Sequence, residues 1–224
     1  MAILTEQESK AIAAAVAEAE TTTGGEIATA VIPESDDYGF RELVWAIAVG
    51  AVAFVVLTQF ADPFESLLQG LFWKYETWLL VTFIGAAAMV IGVVAYLLLQ
   101  IPALDRLILS KAAMAQAVAR RARRHFMESG AYDTVDNTGV LIFVSILERR
   151  VELIADRGIS EKVAQDRWDS VVAELITGIT AGRTGEALAQ AVRQVGAVLS
   201  EHVPPRERNT NELANRPVEL ERGS

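Results

Sequence analysis

Carboxylates carry the chemistry open to this sequence. It contains no cysteine and only two histidines, His125 and His202. Disulfides, thiolate nucleophiles and cysteine metal sites are therefore excluded, and so is a histidine-rich metal site within one chain. Four acids stand where elements should start or stop: Glu26 opens an apolar run, Asp133 and Asp136 precede another in YDTVDNTG, and Asp156 closes a third. Their oxygens suit a hard cation, calcium or magnesium. Asp156-Arg157-Gly158, followed by a helix starting near Ser160, would bring together a carboxylate, a guanidinium and helix N–H groups. That set suits a cation or an anion such as phosphate. The plainer alternative is favoured: Asp156 and Ser160 end a strand and cap a helix, and Asp133 and Asp136, not at EF-hand spacing, form a turn. Phosphatase chemistry needs an activated nucleophile or a metal-bound water. No cysteine–arginine loop, DxDxT-like run or histidine beside a glycine-rich turn is present, so a catalytic reading depends on the carboxylate set. Glu148-Arg149-Arg150 is expected as a solvated turn.

The elements that would position these acids fall in two groups. Thr5-Glu-Gln-Glu8 forms a capping box before an alanine-rich helix with Ile12, Ala15, Val16 and Ala19 on one face. The helix ends before Gly24–Gly25, and Glu26–Ile32 is a strand stopped by Pro33. Later, a helix over 104–129 is closed by Gly130, and Gly139–Leu147 is apolar enough to be a strand covered on both faces. Val151–Asp156 is its antiparallel partner. Two amphipathic helices follow, one with Val163, Trp168, Val171, Leu175 and Ile179 on its core face, the other with Leu188, Val192, Val195 and Leu199. From Pro204 the tail is polar and proline-bearing, hence extended or disordered when isolated; the terminal Gly–Ser resembles an expression scar.

Between these groups the composition changes. The chain is 52% hydrophobic with 22% charged residues and a mean hydropathy of +0.29, because the apolar residues are concentrated. Nineteen residues from Leu43 to Ala61, and 28 from Thr77 to Leu104, carry no charge. Both runs meet the length of about 20 residues that a bilayer core requires. Neither is a secretory signal, since the chain starts MAILTEQESK without an apolar core region. Phe64, Leu67, Leu68 and Leu71 in the connection have helical spacing suited to a membrane interface. Net charge is −9, with eight acids against Lys10 in residues 1–40. Six bases follow the second run: Arg106, Lys111, Arg120, Arg121, Arg123 and Arg124. Their placement predicts contact with anionic lipid, with both chain ends on the cytoplasmic side of a bacterial inner membrane. It makes nucleic-acid binding an unneeded assumption. Gly50, Ala51, Ala53, Gly85, Ala86–Ala88 and Gly92 would let helices pack closely, in one chain or a homo-oligomer.

The stretches TTTGGEIATAVI, TGVLIFVSILERRVELIADRGI and GRTGEALAQAV, with Trp168 and the tail NELANRPVEL, resemble the TPM domain family, most nearly its bacterial membrane-protein branch. The resemblance implies an α/β class fold, a three-layer α/β/α sandwich with a small mixed sheet of about four strands, here interrupted by a transmembrane helical hairpin. The expected division is 1–40, 41–104 for the hairpin, 105–203, and 204–224 as tail. Family members are described as acid phosphatases of photosynthetic membranes, calcium binders, or auxiliary subunits of membrane proteins; bacterial relatives accompany LemA-type membrane proteins. The expectation is a membrane-anchored binding or accessory subunit, with a divalent-cation-dependent phosphatase or an oligomeric scaffold as alternatives.

Overall fold

The computed structural model describes residues 3–71, 76–101, 109–205 and 211–223. The chain divides into two compact units, Met1–Asp36 with Lys111–Ser224, and Asp37–Ser110.

The first unit is built on a four-stranded sheet whose strands lie side by side in the order Arg150–Ala155 (β3), Gly139–Ser145 (β2), Glu26–Ile32 (β1) and Val218–Glu219 (β4). Helix α1 (Glu6–Glu20) starts at the anticipated box: Thr5 Oγ1 accepts from Glu8 N at 3.2 Å, and Glu8 takes the Thr5 N–H at 2.8 Å. Strand β1 (Glu26–Ile32) pairs in parallel with β2 (Gly139–Ser145) along its whole length, from Glu26 opposite Gly139 to Ile32 opposite Ser145. Strand β3 (Arg150–Ala155) runs antiparallel to β2. A parallel pair cannot be joined by a tight turn and needs a crossover helix. Helix α5 (Lys111–Glu128) lies in that crossover. The other helices of the unit are the short α6 (Arg157–Ser160), α7 (Gln165–Thr180) and α8 (Thr184–His202).

Alternation along the strands assigns each residue to a layer. Ile27, Val31, Val140, Ile142 and Val144 pack with α1, α7 and α8, where Trp168, Leu175, Leu188 and Val192 are buried. Ala28, Ala30, Ile32, Leu141 and Phe143 pack on the other side against Val118, Ala122 and Phe126 of α5. The result is the expected α/β/α sandwich. A buried side chain of this size contributes about 2 kcal/mol by leaving water, so both layers are needed to hold the sheet.

The second unit contains α2 (Gly39–Thr58), α3 (Ala61–Leu71) and α4 (Thr77–Leu99). Helices α2 and α4 are long and apolar enough to cross a membrane, and only 11% of the apolar window of each is buried. They meet where side chains vanish: a Cβ built on Gly50 would lie 3.6 Å from Gly92 Cα, and one on Gly92 3.4 Å from Ala46 O. Phe64 of α3 meets Phe83 of α4 with ring centroids 5.6 Å apart.

Three details differ from the sequence expectation. Helix α2 begins before Arg41–Glu42, so the polar link is shorter. The described part of the helix expected from 104 starts at Lys111; residue 104 and Arg106 lie outside the described residues. The tail, expected to be extended or disordered when isolated, is extended and docks on the sheet: residues Val218–Glu219 form β4, parallel to β1, with Leu213 and Leu220 packed on the α5 layer.

Candidate functional site

Polar side chains are buried at both ends of β1, and these are the places where the fold gathers chemistry. At the amino end, the TTTGGE turn is tied down on several sides. Thr23 Oγ1 donates to Val203 O at 2.7 Å, Gly24 N donates to Val203 O at 3.0 Å, and Thr138 Oγ1 donates to Gly24 O at 3.0 Å. Gly25 is required by close approach, since a Cβ there would stand 3.0 Å from Leu199 and 3.3 Å from Thr138 O. This turn delivers two buried acids. Glu20 closes α1 and its Oε1 accepts the Ile27 N–H at 3.1 Å. Glu26 opens β1, and its Oε2 accepts N–H groups of the tail from Glu212 at 3.1 Å and Leu213 at 3.3 Å. Burial pushes the Glu20 carboxyl up to about 7, with the Glu26 charge adding to the rise and the Ile27 N–H opposing it.

At the carboxyl end of β1 and β2, the usual ligand side of parallel strands in open α/β sheets, a second group is buried: Glu34, Ser35, Ser145 and Glu148. Ser35 N donates to Glu148 Oε1 at 3.0 Å, Ser35 Oγ donates to Ser145 Oγ at 2.8 Å, and Ser145 Oγ in turn donates to Glu148. Arg222 of the tail pairs with Glu34, and Arg120 of α5 pairs with Asp36 at 2.9 Å. Ser145 is fully buried, so this hydroxyl–carboxylate chain fixes the strand ends and does not present a nucleophile to solvent. Glu148 is therefore not the solvated turn residue expected; the turn folds back, with Arg149 at φ +49°, and inserts its acid.

The acids expected to bind a cation have separate settings at one end of the sheet. Glu26 holds the tail. Asp133 and Asp136 are exposed in the loop before β2. Asp156 N-caps α6, accepting from Arg157 N at 2.6 Å. The guanidinium of Arg157 turns to Glu161 at 2.8 Å, and α6 is a single turn, so the carboxylate–guanidinium–helix arrangement does not assemble as an anion cradle. Among the described residues, no group of three or more histidines, aspartates and glutamates is placed to hold a metal ion. One observation favours a cation locally. Asp156 Oδ2 is buried without a hydrogen-bond partner among the described residues, beside a turn where the carbonyls of Asp136 and Asn137 would each stand 2.6 Å from a Cβ on Gly158.

The basic residues also divide. Lys111, Arg120, Arg123 and Arg124 are exposed. Arg121 is a correction: it is buried on the inner face of α5, with its Nη1 3.1 Å from Glu128 Oε2, because the 3.6-residue period that buries Val118 and Ala122 also buries position 121. His125, buried near Phe143, has its pKa lowered by burial first and then by the Arg121 charge. Sequence reasoning missed Glu20, Glu34, Ser35, Ser145 and Glu148. The visible signal was Ser145, the polar residue inside the apolar run GVLIFVSIL, followed three residues later by an acid.

Residues 107–198 match the family model of the TPM domain. Over that segment the chain is similar to the TPM domain. The matched segment includes β2, β3, α7 and nearly all of α8, while α1, β1 and the tail lie outside it. The pairing of β1 with β2 nevertheless makes them parts of one sheet. Among solved structures, the BA42 protein from the psychrophilic bacterium Bizionia argentinensis is similar in fold, with a TM-score of 0.56 at 18% identity, over 97% of this chain and 95% of that one. No curated protein sequence matches the chain.

Proposed function

We propose that the protein is a membrane-anchored accessory subunit whose TPM domain binds a partner in or at a bacterial inner membrane. The observation that carries this reading is the pairing of β1 with β2 across the apolar hairpin. A single sheet made from both flanks requires both flanks on the same side of a bilayer, so the hairpin crosses an even number of times. The two apolar helices supply those crossings. The exposed bases Lys111, Arg120, Arg123 and Arg124 suit the cytoplasmic side, where each attracts anionic lipid by about 1 kcal/mol near the surface. Polar groups buried in the domain are engaged in holding strand ends and tail, an arrangement that suits a binding scaffold. A LemA-type protein or a larger membrane complex is the partner implied by the family resemblance, and a second copy is the simplest alternative. Purification of the tagged chain from mild-detergent membranes tests this: a stoichiometric partner without phosphate-ester turnover supports it, and turnover without any partner contradicts it.

The second reading, divalent-cation-dependent phosphatase chemistry, draws on the buried Asp156 Oδ2. Calcium or magnesium there would supply a Lewis acid, with Asp156 and the Asp136 and Asn137 carbonyls as hard oxygen donors. Calorimetric titration of the chain and of Asp156→Asn with each ion decides it; equal heats for both proteins remove the reading.

A further inference from the structure

Strand β1 would be the edge of the sheet were it not covered by the tail, and the tail is bound there as an extended peptide is bound by a receptor. At one end Glu26 Oε2 takes two successive backbone N–H groups, from Glu212 and Leu213. In the middle the ladder is only two residues long, Ala30 opposite Val218 and Val31 opposite Glu219, extended by Leu220 N donating to Val31 O at 2.9 Å. At the other end Arg222 pairs with buried Glu34, and Gly223 N donates to Glu34 O at 3.2 Å. Arg216 grips Glu6 with contacts of 2.7 and 2.9 Å, and Leu213 and Leu220 sit on the α5 layer.

These contacts read an extended backbone with an apolar residue two positions before a base and a second base six positions before the first. That is strand addition with side-chain specificity. A ladder this short holds chiefly because its ligand is tethered to the same chain, which raises its effective concentration. We infer that the β1 edge is a strand-acceptor site for an extended segment of a partner protein with two arginines at the tail's six-residue spacing, which docks when the chain's own tail leaves. Two charge pairs select this occupant: Arg222 of the tail meets buried Glu34 and Arg216 meets Glu6, while Glu26 takes main-chain N–H groups that any extended segment offers. The inference rests on the accessory-subunit reading and names the partner's binding segment.

The probe is a fluorescent synthetic peptide of residues 211–223, titrated by anisotropy into the full chain in detergent micelles. Leu220→Pro removes the donor to Val31 and loosens the cis tail; Arg222→Glu loosens it by charge, so the result does not hang on one variant folding. Both variants should bind the peptide about tenfold or more tighter than the unaltered chain, and a peptide with both bases changed to glutamate should lose that gain. Equal binding by variants and parent, or by the charge-reversed peptide, overturns the inference. Affinity purification separates it from the broader reading. A partner recovered equally with the parent and with Leu220→Pro, and no peptide binding, leaves the accessory role standing and sinks the strand-acceptor site. Peptide binding with no partner recovered does the reverse.

Discussion

Helices α8 and α4 have similar lengths, 19 and 23 residues, and both are rich in alanine, valine and leucine. Nine residues of α8 are buried, among them Leu188, Val192, Val195 and Leu199 on one stripe, while α4 buries only Ile84 and Ala88. Helix α8 carries Arg193, Gln194 and Ser200 on its remaining surface; α4 has no charge from Thr77 to Leu99. The same 3.6-residue period thus gives two kinds of surface. Where water faces one side, apolar residues must form a stripe and the core does the stabilising. Where lipid can surround the helix, a stripe is unnecessary and only the Gly50–Gly92 approach is specified.

The sharpest way to break this contrast is to remove a large side chain from each unit. Phe143, fully buried under α5, should cost about 4 kcal/mol as Phe143→Ala. Val81, 61% exposed in the hairpin, should change unfolding of the α/β unit by less than about 0.5 kcal/mol as Val81→Ala. Chemical denaturation in micelles measures both, and comparable losses would erase the distinction. Glycines give the next largest difference. A Cβ on Gly139 would stand 1.9 Å from Ala131 O, whereas on Gly50 the nearest atom is 3.5 Å away. Gly139→Ala should therefore destabilise by about 3 kcal/mol, and Gly50→Ala should be tolerated within about 0.5 kcal/mol.

Glu20 offers a smaller, chemical test of how firmly the domain core excludes water. Its carboxyl is pushed from 4.5 up to about 7 by burial, so between those values the folded chain holds a proton that the unfolded chain has released. Stability should fall as pH rises through that window and level off above it. Glu20→Gln keeps the acceptor for Ile27 N and cannot ionise. It should flatten the profile and gain about 1–2 kcal/mol at pH 8, a figure reduced for partial solvent screening. An unchanged slope in thermal melts from pH 4.5 to 7.5 would show that Glu20 is hydrated. Least of all, Thr5→Ala removes the α1 cap and should cost about 1 kcal/mol, read from the same melts.

Much of this was legible in the sequence because it depends on local pattern. The capping box at Thr5, the strand Glu26–Ile32, the β2–β3 pair and the faces of α7 and α8 follow from residue period and punctuation. So do the two apolar helices, which follow from uncharged runs of 19 and 28 residues. The buried polar groups were less legible, since their burial depends on partners far along the chain. Glu148 is drawn inward by Ser35 across 113 positions, and Glu26 by Glu212 across 186. Arg121 follows a face already occupied by Val118 and Ala122, a pattern that the cluster of neighbouring bases concealed. The extended form of the tail was legible, but its docking was not, since composition does not register that Leu213 and Leu220 find an apolar layer to cover.

The account stands on one claim: residues on both sides of the hairpin form a single α/β domain that does not depend on the hairpin for its fold. Replacing residues 37–110 with a flexible glycine–serine linker of about 15 residues tests this directly, with near-UV circular dichroism and urea unfolding as the readout. A soluble protein with a fixed aromatic signal and one cooperative transition is the predicted result. A chain that aggregates, or that keeps helical content without near-UV signal or cooperativity, would contradict it.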